Sequence, residues 1–413
     1  MRIAVWYNLP SGGAKRALYD HAQGLAGRGH VLEFFAPNGP GRDYLPLGAF
    51  GKEHTYPPIG SPRPPRLFPS VRRGAADMRH RSRAVAEHCR EAAAAVDAGG
   101  FDVLFANTCM LTASPPVGRH ARTPAVLYLA EPNRGLYEAD DRPAFASIPP
   151  PGRSVLAPWY VRTWVRDRLE TPVRRRQARD ECEAALAFRR VLVNSYFSRE
   201  SVWRAYGVES EVCYLGVNPA VFAPAARPAR DYLVGLGSFT VNKNIAFAVR
   251  AVGCLPPPRP PLIWVGNSVT PPDHVDNLTA LARSLGVEFV PRLMVRQAEL
   301  TALLGGALAM VYAPRLEPFG YAPLEAGTCG TPVVAVAEGG VRETVRDGVN
   351  GLLVAPRPEA MAAAVARLRA DPDLVERLGR TGRQLVETEW SLDAATDRLE
   401  RALAEVAAGP KTP

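Results

Sequence analysis

Hydrophobic and polar positions follow two alternating periods along the chain. Short apolar runs, typical of buried strands, recur between longer stretches in which apolar residues repeat at helical spacing. In the first half the runs predict strands at 3–7, 31–35, 103–106, 125–130 and 190–194, and a helix at 14–27. Strands that alternate with helices indicate a parallel sheet covered on both faces.

The same alternation begins again near residue 231. It predicts strands at 232–237, 262–266, 287–290, 308–312, 333–337 and 352–354, with helices between them and two more at 372–387 and 391–407. Two stretches interrupt the pattern in the first half, at 57–69 and 131–152, and both are predicted to be irregular loops. Loops of this length in a compact enzyme are often functional.

The pattern predicts an α/β fold with two Rossmann-like domains. A chain of 413 residues is too long for one ordinary core,. We expect an N-terminal domain at 1–222, a proline-containing linker at 218–230, a second domain at 230–390 and a final helix at 391–407.

Composition narrows the class of protein. Hydrophobic residues make up 47% and charged residues 22%, as in ordinary globular proteins, and no apolar run is long enough for a membrane span,. The six cysteines show neither CxxC spacing nor a zinc-like cluster, which predicts reduced thiols in a cytoplasmic protein. Arginine supplies most of the net charge of +9, and lysine occurs at four positions, including Lys15 and Lys243.

The strongest candidate for chemistry is the segment PRLEPFGYAPLEA at 314–326, which follows a predicted strand and opens a helix. Amide groups at such a helix start attract phosphate. Glu317 and Glu325 are eight residues apart, a little over two helical turns, so the spacing places them on roughly one helix face. Two carboxylates in this arrangement suit two groups of sugar hydroxyls.

This segment resembles the E-x7-E signature of the family-4 retaining glycosyltransferases, which have the GT-B fold. GTPVVA at 330–335, GGVRE at 339–343 and DGVNGLLV at 347–354 resemble the elements that follow it, and NSYFS at 194–198 and YLGVN at 214–218 extend the match backwards. The resemblance implies two Rossmann-like domains facing each other across a deep cleft, with the last helix returning to the first domain.

The resemblance also implies roles for the donor-site residues. Glu317 would hold the transferred sugar, Glu325 the ribose of the nucleotide, and the backbone of Phe319, Gly320 and Tyr321 the diphosphate.

A second segment, GSFTVNKN at 237–244, matches the family at Lys243, which would neutralise the departing diphosphate. Ser238 stands where the family usually has an arginine, so one cation is missing unless Arg292 or Arg315 replaces it,.

Two segments of the first half are candidates for acceptor binding. Gly12 and Gly13 follow the first strand, where the family loop faces the donor phosphate and the acceptor, and Lys15 lies just inside the next helix. No G-x-G-x-x-G fingerprint accompanies them, which argues against a dinucleotide site. The segment YLAEPNR at 128–134 resembles one in mannosyltransferase-like members, with Ala130 in place of their histidine, and leaves Glu131 and Arg134 as cleft candidates.

Arginines crowd residues 63–83 and 162–190. A basic N-terminal domain suits lipid-linked acceptors and peripheral contact with an anionic membrane, although an ordinary solvated helix face gives the same pattern. Because no aromatic interleaving or known module accompanies the charge, nucleic acid is not expected as a partner.

The sequence therefore predicts a retaining glycosyltransferase that moves a hexose-type sugar from a nucleotide-diphosphate sugar to a hydroxyl acceptor, with no cofactor or metal. The acceptor classes left open are natural products, polysaccharides and glycolipid precursors, and neither sugar nor base is readable. Two alternatives also stay open: a non-catalytic nucleotide-sugar-binding protein, and an epimerase or phosphorylase on the same architecture.

Overall fold

The computed structural model describes residues 1–39, 44–59, 70–137, 154, 156–224 and 229–409. Their contacts divide the chain into two compact units. Met1–Cys213 form the first unit together with the described residues from Thr396 onward, and Tyr214–Ala395 form the second. None of the helices in the described ranges combines the length and the apolar character that crossing a bilayer requires.

The first unit is built on a seven-stranded parallel sheet in the order β3-β2-β1-β4-β5-β6-β7. Its strands are β1 (Arg2–Asn8), β2 (Val31–Pro37), β3 (Gly51–Tyr56), β4 (Val103–Cys109), β5 (Ala125–Tyr128), β6 (Arg190–Val193) and β7 (Glu211–Val212). The central strands are nearly all buried, as expected for a sheet with helices on both faces,. Trp6, Phe35 and Leu104 are among its core residues.

In the described part of the first unit, five helices lie between these strands: α1 (Gly13–Gly27), α2 (Ser70–Ala98), α3 (Arg134–Tyr137), α4 (Pro158–Leu186) and α5 (Tyr196–Tyr206). Local sequence fixes the ends of α5. The Ser195 hydroxyl accepts a hydrogen bond from the Ser198 amide at its start, and Gly207, with φ +65°, ends it,.

The second unit repeats the architecture with six parallel strands in the order β12-β10-β8-β13-β14-β15. These strands are β8 (Leu233–Leu236), β10 (Leu262–Gly266), β12 (Phe289–Leu293), β13 (Ala309–Tyr312), β14 (Val333–Val336) and β15 (Gly351–Val354), and the two-residue strands β9 (Phe239–Thr240) and β11 (Val269–Thr270) pair beside them. Both large sheets thus have the strand order of doubly wound nucleotide-binding folds.

The remaining helices are α6 (Ile245–Gly253), α7 (His274–Ser284), α8 (Gln297–Gly306), α9 (Tyr321–Thr328), α10 (Val341–Thr344), α11 (Pro358–Ala370), α12 (Pro372–Thr388) and α13 (Leu392–Ala408). From Thr396 onward α13 packs on the first unit. A Cβ atom on Gly24 of α1 would lie 2.1 Å from the Thr396 Oγ1, so the two helices touch where α1 has no side chain.

The predicted α/β class and all eleven predicted strands are confirmed, mostly to within two residues at each end. β3 escapes prediction because the edge strand GKEHTY has no apolar run. The predicted loop at 57–69 lies outside the described residues from 60 onward, and that at 131–152 from 138 onward; within the latter, Arg134–Tyr137 form a helical turn.

Candidate functional site

In the second unit the strand order places a switch point between β8 and β13. From these two neighbours the chain leaves in opposite directions, and ligands of doubly wound sheets bind outside the carboxyl ends of the strands there. The loop after β8 carries residues 237–244, and the loop after β13 carries 313–320. Both motifs singled out in the sequence therefore lie at one point of the sheet.

Lys243 is held in place by its own loop. Gly237, with φ +150°, leaves room for the aliphatic stem of Lys243, which would pass 3.3 Å from a Cβ atom there. Asn244 follows in the left-handed conformation, and its side-chain amide donates to the Ala313 carbonyl oxygen at 3.1 Å. The Arg315 amide donates to the Asn242 carbonyl oxygen at 3.2 Å, so hydrogen bonds in both directions join the two loops.

The central contact of the site is an ion pair between these loops. The Lys243 Nζ donates to Glu317 Oε2 at 2.7 Å. Both side chains are about one-fifth exposed, so a ligand can reach them. A cation and a carboxylate that meet at this distance can contact neighbouring groups of one ligand.

Glu317 lies outside helix α9, which begins at Tyr321, so the prediction that Glu317 and Glu325 share a helix face is wrong. Leu316, at φ +47°, and Gly320, at φ +94°, are both left-handed and interrupt a helix,. Gly339, at φ +65°, packs against Glu317, where a Cβ atom would lie 2.5 Å from the Glu317 carbonyl oxygen. The Gly340 amide donates to that oxygen at 2.8 Å, and the loop after β14 thereby positions Glu317.

Glu325 occupies a different environment, inside α9 and only 4% exposed. Burial, with Glu317 and Glu325 as the neighbouring charges, raises the pKa of the Tyr312 hydroxyl. Burial and then the Glu325 charge also raise the pKa of the Cys329 thiol to about 12. The Glu325 carboxylate therefore lies in the interior of the second unit, beside two groups whose ionisation it opposes.

The turn from Phe319 to Tyr321 starts α9. The first amide groups of a helix have no acceptor within it and form a favourable place for phosphate. The Phe319 ring is buried and packs near Tyr214 and Trp390, with ring centroids 6.4 and 5.7 Å away. This aromatic cluster fixes the start of the helix.

The two candidates for the missing cation lie in different places. Ser238 follows β8 and donates its hydroxyl hydrogen to the Asn267 side-chain oxygen at 2.7 Å. Arg292 is exposed on β12, the edge strand two positions from β8, whereas Arg315 is exposed on the loop that also carries Glu317. Of the two arginines, it is Arg315 that lies on one of the two loops joined by the Lys243–Glu317 ion pair.

In the first unit Gly12 and Gly13 follow β1, at the equivalent switch point between β1 and β4. Gly12 has φ +146° and a Cβ atom there would meet nothing within 4 Å. Lys15, in contrast, is only 1% exposed, and its Nζ lies 4.1 Å from the centroid of the Tyr7 ring. Lys15 is therefore not an exposed lysine of a tight turn: its ammonium is buried and packs on an aromatic face,.

Glu131 and Arg134 pair with each other after β5, with the Arg134 Nε donating to Glu131 Oε2 at 2.6 Å. Beneath them lies Glu181 of α4, which sequence reasoning missed. Burial raises the pKa of its carboxyl to about 8, and Gln177 at 2.8 Å and the Tyr206 hydroxyl at 3.0 Å donate to it. The Asn133 side chain also bonds to it, so a neutral acid anchors the 131–134 loop at pH 7.

A cavity of about 830 Å³ lies at the opposite edge of the second sheet. Asp231, Pro260 and Leu308, which line it, precede β8, β10 and β13 respectively, so the cavity is separate from the donor-site loops. In the described part of the chain no group of three His, Cys, Asp or Glu residues is arranged to hold a metal ion.

Comparison with known proteins gives the family. Residues 11–221 match the model described as Glycosyltransferase Family 4, and residues 221–385 match Glycosyl transferases group 1. A D-inositol 3-phosphate glycosyltransferase of Actinosynnema mirum is 46% identical over 112 residues, or 25% of each protein, and one of Kribbella flavida is 30% identical over 231 residues, or 50% of this chain and 54% of the relative. The aligned part of the chain thus spans between a quarter and about half of these relatives.

Solved structures match over nearly the whole chain. Sucrose-phosphate synthase of Thermosynechococcus elongatus has a TM-score of 0.72 at 21% identity, with 99% of both chains covered. Anabaena HepE in complex with UDP-glucose has a TM-score of 0.68 at 20% identity, with 98% of this chain and all of that chain covered. At these identities the likeness shows the fold.

Two doubly wound parallel units with these matches define a glycosyltransferase of the GT-B fold. More narrowly, the chain belongs to glycosyltransferase family 4, as the motif resemblance predicted.

Proposed function

We propose that this enzyme transfers a hexose-type sugar from a nucleotide-diphosphate sugar to a hydroxyl group of an acceptor, with retention of anomeric configuration and without a metal ion. The observation that carries the proposal is the contact between Lys243 and Glu317 at the switch point of the second sheet. In such a donor the diphosphate is bonded directly to the anomeric carbon. A cation for phosphate and a carboxylate for sugar hydroxyls must therefore lie close together.

The chemical demand of the reaction is negative charge on the leaving diphosphate. Fixed positive groups aimed at that charge are the largest catalytic help a site can give. Lys243 supplies an ammonium group, and the amides of Phe319, Gly320 and Tyr321 supply the helix start,. Protein cations in these positions take the part that a metal ion would otherwise play.

The two glutamates receive separate roles. Glu317 orients the sugar, because it is accessible and adjacent to Lys243. Glu325, buried in α9, binds the ribose hydroxyls, which is the role that the resemblance to family 4 implies for it. The resemblance assigns Gly12 and Gly13 to the donor phosphate or the acceptor, and Glu131 and Arg134 to the acceptor.

HepE was crystallised with UDP-glucose, which supports a nucleotide-sugar donor and makes UDP-glucose the first to test. The name of the D-inositol 3-phosphate glycosyltransferases supports an acceptor with a free ring hydroxyl. Natural products, polysaccharides and glycolipid precursors provide such groups, and a lipid-linked acceptor would bring the enzyme to a membrane surface.

A thermal-shift panel with UDP, GDP, ADP and dTDP and their sugars tests the donor site. A ligand at a hundredfold excess over its dissociation constant stabilises the native state by about 2.7 kcal/mol. We expect one base to raise the melting temperature of the wild type, and Glu325→Gln to weaken that shift. Glu359→Gln changes an exposed glutamate at the start of α11 and serves as the control. It should show the same ligand-induced shift in melting temperature as the wild type.

Product analysis separates the proposal from its rivals. Transfer from the bound donor to an acceptor hydroxyl, with an unchanged anomeric coupling in the NMR spectrum, is expected. A nucleotide that binds but is never turned over would assign the chain to a non-catalytic binding role, for which the serine at position 238 is the motivating feature. Formation of an epimerised nucleotide sugar, or of sugar phosphate only when phosphate is added, would instead identify an epimerase or a phosphorylase.

A further inference from the structure

The net positive charge of the chain is confined to its first half. Residues 1–213 contain 30 Arg or Lys against 21 Asp or Glu, whereas residues 214–413 contain 20 of each. Within helix α4 the bias is strongest at residues 158–179, which contain seven arginines and two acidic residues. The N-terminal part of helix α4 therefore carries much of the net positive charge of the chain.

The N-terminal end of α4 projects beyond the sheet of the first unit. Helices α2 and α4 each have 29 residues, about 43 Å of helix, and they pack against each other,. The longest strands have seven residues and span about 23 Å,. Short connections join the C-terminal ends of both helices to β4 and β6 at the amino edge of the sheet, so their N-terminal halves extend past its carboxyl edge.

Large apolar side chains are exposed at this projecting end. Leu156 is 81% exposed, Trp159 40% and Trp164 44%. Five of the fifteen exposed large hydrophobic residues in the described chain fall within residues 156–165. Such clustering marks an interaction site, since single exposed apolar residues are ordinary but contiguous ones are not.

Arginines are interleaved with these apolar groups. Arg162, Arg166 and Arg168 are exposed, and the Arg168 guanidinium lies 5.0 Å from the centroid of the Trp164 ring. Tryptophan favours the boundary between lipid tails and headgroups, and arginine beside it reaches anionic headgroups. Protein interfaces are also enriched in aromatic residues and arginine, so a second copy of the chain is the alternative occupant that the experiments below distinguish.

We propose that the exposed side chains of residues 156–168, here called the α4 surface, dock the enzyme on bilayers that contain anionic phospholipids. The occupant is the headgroup region, with Trp159 and Trp164 inserted at its boundary and the three arginines on the phosphates. Because parallel α/β sheets bind ligands at the carboxyl edge, the α4 surface places a bilayer on the side where the first unit meets its substrate. Only this last consequence rests on the proposed function.

Vesicle flotation of the full chain tests the proposal directly. We expect the wild type to float with vesicles of phosphatidylcholine and phosphatidylglycerol in equal parts, to stay unbound with phosphatidylcholine alone, and to be released by 0.5 M salt. Each arginine near an anionic surface contributes about fivefold in affinity, so Arg162→Gln with Arg166→Gln and Arg168→Gln weakens binding roughly a hundredfold. Trp159→Ser with Trp164→Ser abolishes the blue shift of tryptophan fluorescence on binding.

Matched controls come from helix α5 of the same unit. Trp203 is 53% exposed and Arg204 is exposed beside it, so Trp203→Ser and Arg204→Gln make the same changes outside the α4 surface and leave flotation unchanged. Circular dichroism melting of every variant checks folding.

The proposal would be overturned if the wild type did not bind anionic vesicles. It would also be overturned if the α4 variants bound them like the wild type. Tryptophan variants that lose a dimer in ultracentrifugation while vesicle binding is absent assign the surface to a second copy of the chain and also overturn it. Flotation requires no nucleotide, so its result stands whether or not the donor experiment succeeds.

Discussion

At the scale of single residues, the donor site depends on glycines that make room for charged neighbours. Lys243 lies over Gly237, and the Glu317 backbone lies against Gly339. Each of these glycines determines where a functional side chain can be. A side chain at either position would move the ion pair instead of removing it.

Gly339→Ala is predicted to lower the transfer rate roughly 10- to 100-fold, because misplacing a positioning group by about 1 Å has effects of this size. The new Cβ atom would lie 2.5 Å from the Glu317 carbonyl oxygen. Nucleotide binding through Glu325 should persist, as a thermal shift will show. Gly348→Ala is the control, since its φ of +70° imposes the same backbone strain but its Cβ atom meets nothing. Equal losses in both variants would contradict the prediction.

Lys243→Ala is predicted to reduce kcat about 100- to 1,000-fold, as for removal of other groups that stabilise developing negative charge. Adding Ser238→Arg to that variant should recover part of the rate, because it supplies a cation to the same loop. Lys52→Ala, on an exposed lysine of β3, is the matched control. Steady-state kinetics decide the matter, and an unchanged kcat in Lys243→Ala would remove the lysine from the mechanism.

Functional residues can be predicted from the sequence where they lie in a motif, but not where burial in the fold determines their properties. Lys243 and Glu317 follow from two short segments, and the structure brings them together. Glu181 gave no signal, since a glutamate in an arginine-rich helix resembles a solvated residue until the fold buries it beside Tyr206. The same holds for Lys15, where only tertiary packing places the ammonium over Tyr7.

At the scale of elements, sequence periodicity predicts the buried strands because helices cover both faces of each sheet. It fails for β3, a half-exposed edge strand. It also gives no bounds for α4, which continues through Pro172. Proline ordinarily interrupts a helix because it lacks an amide hydrogen and crowds the preceding turn. Pro172 is exposed, so the carbonyl group that it leaves without a partner can bond to water.

The contact between α1 and α13 can be tested through Gly24. We predict that Gly24→Val destabilises the first unit by about 1–3 kcal/mol, as overpacking of a close contact does. Thr396→Ala in the same chain should restore part of the loss, because it removes the Oγ1 and Cγ2 atoms that a Cβ atom at Gly24 would meet first. Urea unfolding of the four chains gives the coupling energy.

Gly27→Val, where a Cβ atom meets nothing within 4 Å, controls for helix propensity. Losses that simply add in the Gly24→Val and Thr396→Ala double variant would show that the two positions do not touch in solution.

At the scale of the whole molecule, the two units differ in charge and in buried titratable groups. The first unit holds His21, whose pKa burial and then Arg398 lower to about 3, and His88, whose pKa burial lowers to about 4. It also holds Glu181, with its pKa raised to about 8. These groups oppose each other in their effect on stability, so the dependence on pH has a maximum.

The direction follows from the protons bound on unfolding. Above about pH 6.5 the histidines are neutral in both states, while Glu181 loses its proton on unfolding, so stability falls as the pH rises toward 8. Between about pH 6.5 and 4.5 the unfolded chain takes up two protons on His21 and His88 and releases one from Glu181. Stability then falls as the pH drops, by about 1.4 kcal/mol per pH unit for the net proton.

The first unit should therefore be most stable near pH 6.5, and single variants should remove one side of the maximum each. Glu181→Gln keeps the hydrogen-bonded shape without titrating, and should flatten the decline above pH 6.5. His21→Leu should weaken the decline in stability below pH 6.5, because leucine takes up no proton on unfolding. The substitution removes no hydrogen bond, since neither ring nitrogen of His21 has a partner. Hydrogen exchange of β1 and β6 peptides in the full chain, measured at pH 5.5, 6.5 and 8.0 after correction for intrinsic rates, reports this unit alone. If stability still declined above pH 6.5 in Glu181→Gln, the titrating group would be another residue. Glu181 would then not be the neutral acid that anchors the 131–134 loop.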